Sequence, residues 1–314
     1  MRVQGIVGIA VLCVVSAGAG AYLRPTAVEA QAGAYRAPRA ADGKPNLNGV
    51  WQAMNTAHWD LQAHAARAAL AVQSGPAGEV PAAPVLLLGA RGGVPAGIGV
   101  VEGDEIPYQP WAAAKKKENE ANALVRDPES RCFKPGIPRA TYMPYPFQVV
   151  QSTDKVMFVY EYAAASRTVN LKTPTPGLAD SWMGHSNGRW DGDTLVVDVT
   201  DQVAETWFDR SGNFHSEALH VVERYTPVSA DRLDYEVTVE DPKVFTRPWK
   251  MSMPLYRRAE KNAQVMEYKC VEFVEELMYG HLRKQPVVRH WEGDLGEMGG
   301  GIVAVDVTRK SVVK

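Results

Sequence analysis

Net charge is nearly absent from this chain, in which 34 Lys and Arg face 36 Asp and Glu for a formal charge of -2. Such a balance gives no broad attraction for nucleic acid or for an anionic membrane surface. The basic run Lys115 to Lys117 stands directly before Glu118 and Glu120 and reads as a solvated helix face. Cysteine is also scarce, with three in all. Several catalytic signatures are missing. Ser186 and Ser216 do not sit in the G-x-S-x-G elbow of hydrolases. The glycine-rich stretches, Gly299 to Gly301 among them, lack the order of a phosphate-cradling loop. His215, Glu217 and His220 follow H-x-E-x-x-H, not the helical spacing that turns two histidines toward one metal. No metal and no cofactor are expected.

What is present is enough apolar material for a core, at 46% hydrophobic residues in 314. Arg2, the apolar run Ile6 to Ser16 and the small-x-small site Val28-Glu29-Ala30 read as a signal peptide over residues 1–30. The competing reading is a retained anchor, because Gly5 to Leu23 carries no charge and is about long enough to span a bilayer. Attachment to a membrane is expected only through that segment left uncleaved. Export to the periplasm or outside the cell makes Cys132 and Cys270 a disulfide pair by preference; two buried thiols are the alternative.

Residues 31–130 are expected to form a helical and loop-rich region. A helix is predicted from His58 to Gln73 and another from Pro110 to Val125, with a Gly-, Pro- and Ala-rich loop or insertion over residues 74–110. From Arg131 to the end, strand signals dominate. They fall at Phe147 to Gln151, Val156 to Tyr162, Arg167 to Leu171, Thr194 to Thr200, Ala218 to Tyr225, Arg232 to Glu240, Trp249 to Arg257 and Val265 to Phe273. Asp191-Gly192 and Ser229-Ala230-Asp231 supply short turns. The fold class is therefore mainly β, an antiparallel meander forming a closed barrel or curled sheet over residues 131–314, since closure removes exposed edges.

Six stretches carry a family resemblance: DGKPNLNGVW at 42–51, DPESRCFKPGIPR at 127–139, WMGHSNGRWDGDTLVVDV at 182–199, HSEALHVVERYTPV at 215–228, VTVEDPKVFTRPW at 237–249 and EYKC at 267–270. In these the chain resembles a family of uncharacterised, exported bacterial proteins. The part from about Gly188 to Phe273 also resembles the lipocalin-like β-barrel group, which implies a cupped meander with a ligand cavity. After Cys270 the stretch VEFVEELMYGHLRK departs from that pattern. The resemblance brings no catalytic residues with it.

Function turns on the stretch Ser181 to Arg224, with three of seven histidines and three of eight tryptophans. Strand parity would put His215 and Glu217 on one face and His220 on the other. His215 and Glu217 then make a candidate acid-base pair, and His185, in a turn-rich segment, is the third candidate. Glu223 and Arg224 face opposite ways, so each needs its own partner. Trp182, Arg189, Trp190, Trp207, Tyr225, Tyr235 and Trp249 are the candidate lining of a pocket, though large aromatics on alternating strands are also plain core. The leading expectation is an exported protein that binds a small apolar or aromatic molecule in a barrel cavity, with no nucleic-acid partner. The alternatives are an enzyme of the same fold using a His-carboxylate pair for hydrolase, lyase or isomerase chemistry, and a structural module of the cell envelope.

Overall fold

A computed structural model describes residues 35–66, 72–81 and 94–274. The expected signal peptide at 1–30 lies outside the described residues. Strand β1 (Gly49–Ala53) comes first, followed by a separate hairpin of β2 (Val72–Gly75) and β3 (Gly78–Pro81). Helices α1 (Pro110–Ala121), α2 (Ala123–Arg126) and α3 (Arg139–Tyr142) lead into the strand-rich half. There β4 (Phe147–Gln151), β5 (Lys155–Tyr160), β6 (Ser166–Asn170), β7 (His185–Asp191), β8 (Thr194–Thr200), β9 (His220–Ser229), β10 (Arg232–Glu240) and β11 (Trp249–Arg257) follow in order. Together with β1 they form a closed nine-stranded barrel in which each strand pairs with its sequence neighbour, and β1 joins β11 to β4.

The closed, mainly β barrel is what the strand pattern implies, with three local differences. The pairing of β6 with β7 is parallel, through Val169 opposite Ser186 and Asn170 opposite Asn187. The 14 residues between these strands carry the chain back across the barrel before it pairs again. Residues 265–273 form no strand; an extended coil holds the backbone N–H of Met266 on Glu161 at 3.0 Å instead. The closing strand is β1, so the barrel takes an element from the region before residue 131.

The predicted helix from His58 is absent from its described part, and Val72–Gly75 is a strand. Its backbone donors have partners distant in sequence: Leu61 N–H on Asp209 (2.9 Å), Ala63 N–H on Asp104 (2.7 Å) and His64 N–H on the Gly97 carbonyl (2.9 Å). Tertiary contacts thus replace the i to i−4 ladder that local propensity favours. The helix predicted from Pro110 forms, with Pro110 in its first turn.

Alternation explains the core. In β10, Leu233, Tyr235, Val237 and Val239 point inward and are fully buried, between outward Asp234, Glu236 and Thr238. Each large apolar side chain so buried contributes roughly 1.5–3 kcal/mol. The strands also define two barrel ends. The turn end carries the two-residue loops Gly192-Asp193 and Ala230-Asp231, and Gly192 has the positive φ (59°) that suits glycine in such a hairpin. The loop end is covered by connections before β4, between β8 and β9 and between β10 and β11. Cys132 and Cys270 are joined by a disulfide. Among the described residues no helix is long and apolar enough to cross a membrane.

Candidate functional site

At mid-barrel, β6 places Arg167 in phase with Val169, and β9 places Glu223 in phase with Val221 and Tyr225. Both charges therefore point inward, where they pair at 2.5 and 3.0 Å. Tyr225 and Tyr235 donate to the same Glu223 oxygen at 2.8 and 2.7 Å, and Arg167 donates to the phenol oxygens of Tyr160 and Tyr225 at 3.1 and 3.0 Å. The guanidinium also lies 4.6 Å over the Phe158 ring. Burial alone would depress the Arg167 pKa, but Glu223 and the phenols outweigh it and raise it. Each charge is thus satisfied inside a packed interior.

The loop end holds a second buried network. Arg139 is bidentate on Asp127 (2.8 and 2.9 Å) and also reaches Glu129 (2.9 Å), which Arg210 grips at 2.9 and 2.7 Å. His58 meets Glu129 at 3.2 Å. Burial lowers the His58 pKa to about 4 despite that carboxylate. The neutral ring can give its Nε2–H to Glu129 while Nδ1 faces Arg139 Nε at 3.4 Å. Asp209 accepts backbone N–H bonds from Leu61, Ser211 and Asn213 and so ties the 201–219 connection to the 58–61 turn.

His185, His215 and Glu217 all belong to this loop end, but they do not form one group. The strand starts at His220, so His215 and Glu217 lie in the preceding loop, where strand parity does not apply. His215 is buried, with Nδ1 on the Ser216 carbonyl (2.8 Å) and Nε2 on Thr206 Oγ1 (2.5 Å). Glu217 is exposed and pairs with Lys243. His185 meets Thr175 Oγ1 at 3.2 Å, and His220 sits between Asp198 and Glu240 on the outer face, 3.3 Å from each. Among the described residues no cluster of His, Cys, Asp and Glu is arranged to hold a metal ion.

The pH response of His215 follows from its burial, which pushes its pKa from 6.5 down to about 4. As pH falls, the unfolded imidazole takes up its proton before the folded one. His215 therefore contributes stability that is complete above about pH 6.5 and is lost toward about pH 4, on the order of 3 kcal/mol. Asp209 opposes this slope: burial and the neighbouring Asp60 push its carboxyl up to about 7, so its contribution falls as pH rises from about 4 to 7. Urea unfolding of wild type and His215→Gln at pH 7 and pH 4.5 isolates the histidine. The variant is expected to lose less stability on acidification, and equal losses would remove the assignment.

The expected aromatic lining is dispersed. Tyr225 and Tyr235 are mid-barrel, with ring centroids 4.8 Å apart. Trp249 packs edge-on against Phe208 and Phe245 at the loop end, where Trp207 is bridged to Phe214. Trp190 is half-buried opposite Leu195, Trp182 stacks on Phe133 at 4.6 Å, and exposed Arg189 pairs with Asp198 at 2.6 Å. None of the seven lines the cavity at the turn end, whose wall includes residues of the segment before β1.

That cavity measures about 300 Å³. Trp51 and Leu233, both almost fully buried, lie in its wall, and Pro38 and Pro227 bring accessible apolar surface beside Ala37. Tyr35, Asn46, Asn48, Ser229, Asp231 and Arg257 bring polar groups. Arg257 is in phase with Met253 and Leu255 and lies 4.2 Å over the Trp51 ring. Its Nε and Nη1 donate to the carbonyls of Ala230 (2.9 Å) and Asn48 (2.8 Å). Gly49, with φ 146°, permits this approach, since a Cβ there would come within 2.0 Å of Nη1. Burial lowers the Arg257 pKa, against smaller upward effects of Asp231 and Tyr35.

No protein-family model matches the chain, and no curated protein matches it. The sequence pattern contains a signal for Arg167 and Arg257, since each is a charge in phase with an apolar strand face. The loop-end network had none, because its members come from segments without a period.

Proposed function

We propose that this is an exported binding protein of the β-barrel type, holding a small, largely apolar molecule in the turn-end cavity. The observation that carries the proposal is the cavity itself, about 300 Å³ with Trp51 and Leu233 in its wall. That volume is at the lower end of the range for small-molecule sites, and the wall combines apolar residues with convergent polar groups. The Cys132–Cys270 disulfide supports action in an oxidising compartment. An acid-base enzyme built on His185, His215 and Glu217 is less well supported, because His215 and Glu217 are each engaged elsewhere.

The test is native mass spectrometry of the protein purified after export from its own host, with Ser229→Trp as the blocking variant. Ser229 is an exposed cavity residue, so the added ring obstructs the opening without entering the core. A retained small molecule that the variant loses is the expected result. The packed barrel interior favours a structural module as the second reading, which predicts a bare protein mass for both forms. That outcome, with no small aromatic probe perturbing Trp51, would reject binding.

A further inference from the structure

We infer that the cavity selects a carboxylate on a compact aromatic or alicyclic body, with the guanidinium of Arg257 as the anion-binding group. The inference rests on the cavity being a ligand site.

Arg139, Arg167 and Arg210 each hold a buried carboxylate at 2.5–2.9 Å. The Arg257 side chain is only 28% exposed, yet its nearest carboxylate, Asp231, is 4.0 Å from Nε and 78% exposed. A half-buried cation without a close counter-ion is costly unless something supplies one.

Two of the five guanidinium N–H groups are used on the carbonyls of Ala230 and Asn48. One N–H on Nη1 and both on Nη2 have no partner among the described residues, so the Nη1–Nη2 edge is uncommitted. Asp231 approaches the Nε side and leaves that edge open. Such an edge matches the two oxygens of a carboxylate. The ring contact with Trp51 and the two carbonyls already fix the group, so little further ordering is needed on binding. Pro38 and Pro227, also in the lining, offer apolar surface to the remainder of the ligand.

Benzoate, benzamide and benzamidine present one planar body with negative, neutral and positive charge. Titrating each into the full-length exported protein, and following the Trp51 indole N–H by NMR with Trp51→Phe to assign it, reads the site directly. Benzoate is expected to bind roughly tenfold or more tighter than benzamide, with benzamidine weakest. Arg257→Gln is expected to abolish the preference for benzoate over benzamide. Arg257→Lys, which keeps the charge without the fork, is expected to fall between. Equal affinities for benzoate and benzamide would overturn the carboxylate preference and leave the cavity reading standing. Unchanged benzoate binding in a folded Arg257→Gln would overturn Arg257 as its partner. If none of the three probes moves the Trp51 signal, both inferences fall. Should Arg257→Gln not fold, the wild-type charge series decides alone.

Discussion

Replacing Glu223 with alanine is expected to destabilise the protein by about 3–5 kcal/mol, the range for breaking a buried ion pair from one side. Arg167 would then keep a full charge inside the barrel, with only the phenol oxygens of Tyr160 and Tyr225 to accept from it. Tyr225 and Tyr235 would each lose the carboxylate that accepts their hydroxyl. An unmet buried group carries its own desolvation cost, so the losses reinforce one another. Glu223→Gln should be milder, because the amide oxygen can still accept from a tyrosine. The double replacement Arg167→Met with Glu223→Leu should recover only the part of the loss that comes from the unpaired charge, since the hydroxyls of Tyr225 and Tyr235 still lack their acceptor. Urea denaturation followed by far-UV circular dichroism measures all three. A cost below about 1 kcal/mol for Glu223→Ala would contradict the account.

The second large effect is expected from Cys132→Ser together with Cys270→Ser. The bridge closes a loop with a sequence separation of 138. In the chain-entropy picture a loop of that size contributes roughly 4–5 kcal/mol by restricting the unfolded chain. The bridge also ties down the coil at 264–270, where Tyr268 packs against Tyr145 and Tyr162 at 5.0 and 5.1 Å. Loss of the bridge should therefore lower global stability and raise hydrogen exchange in that coil first. Denaturation midpoints with and without reductant provide the check. Wild type should fall to the level of the double variant when reduced, and a wild type indifferent to reductant would remove the bridge from the stability account.

The barrel was legible where residues alternate. Leu233, Tyr235, Val237 and Val239 gave β10 its bounds, and β4, β8 and β11 were equally clear from period and flanking turns. Pairing of Glu223 and Arg224 with separate partners was also foreseeable from parity: Glu223 meets Arg167 inside and Arg224 meets Asp191 outside. The stretch from His58 misled because Ala and Leu favour a helix locally, while Asp209 and Asp104 capture its backbone from afar. His215 and Glu217 misled because the strand begins five residues after His215, in a loop where parity has no meaning. The turn-end cavity could not be read in advance. It depends on Trp51 and Arg257 meeting across the seam, and periodicity says nothing about which strands meet.

That seam has a temporal consequence. Trp51 stands opposite Arg257, about two hundred residues later in the chain. The first barrel strand thus leaves the ribosome long before its second neighbour exists, while the strands from β4 onward can zip up one by one. Until β11 arrives, β1 can satisfy only one of its edges, and the growing sheet stays an open ribbon with Phe147, Phe158 and Tyr160 toward solvent. Closure is the slow, non-local event, the kind that delays folding and invites pairing between unfinished chains. A chain truncated before residue 249 would be an unclosed sheet, prone to join another copy along the edge that Arg257 and its strand were meant to cover.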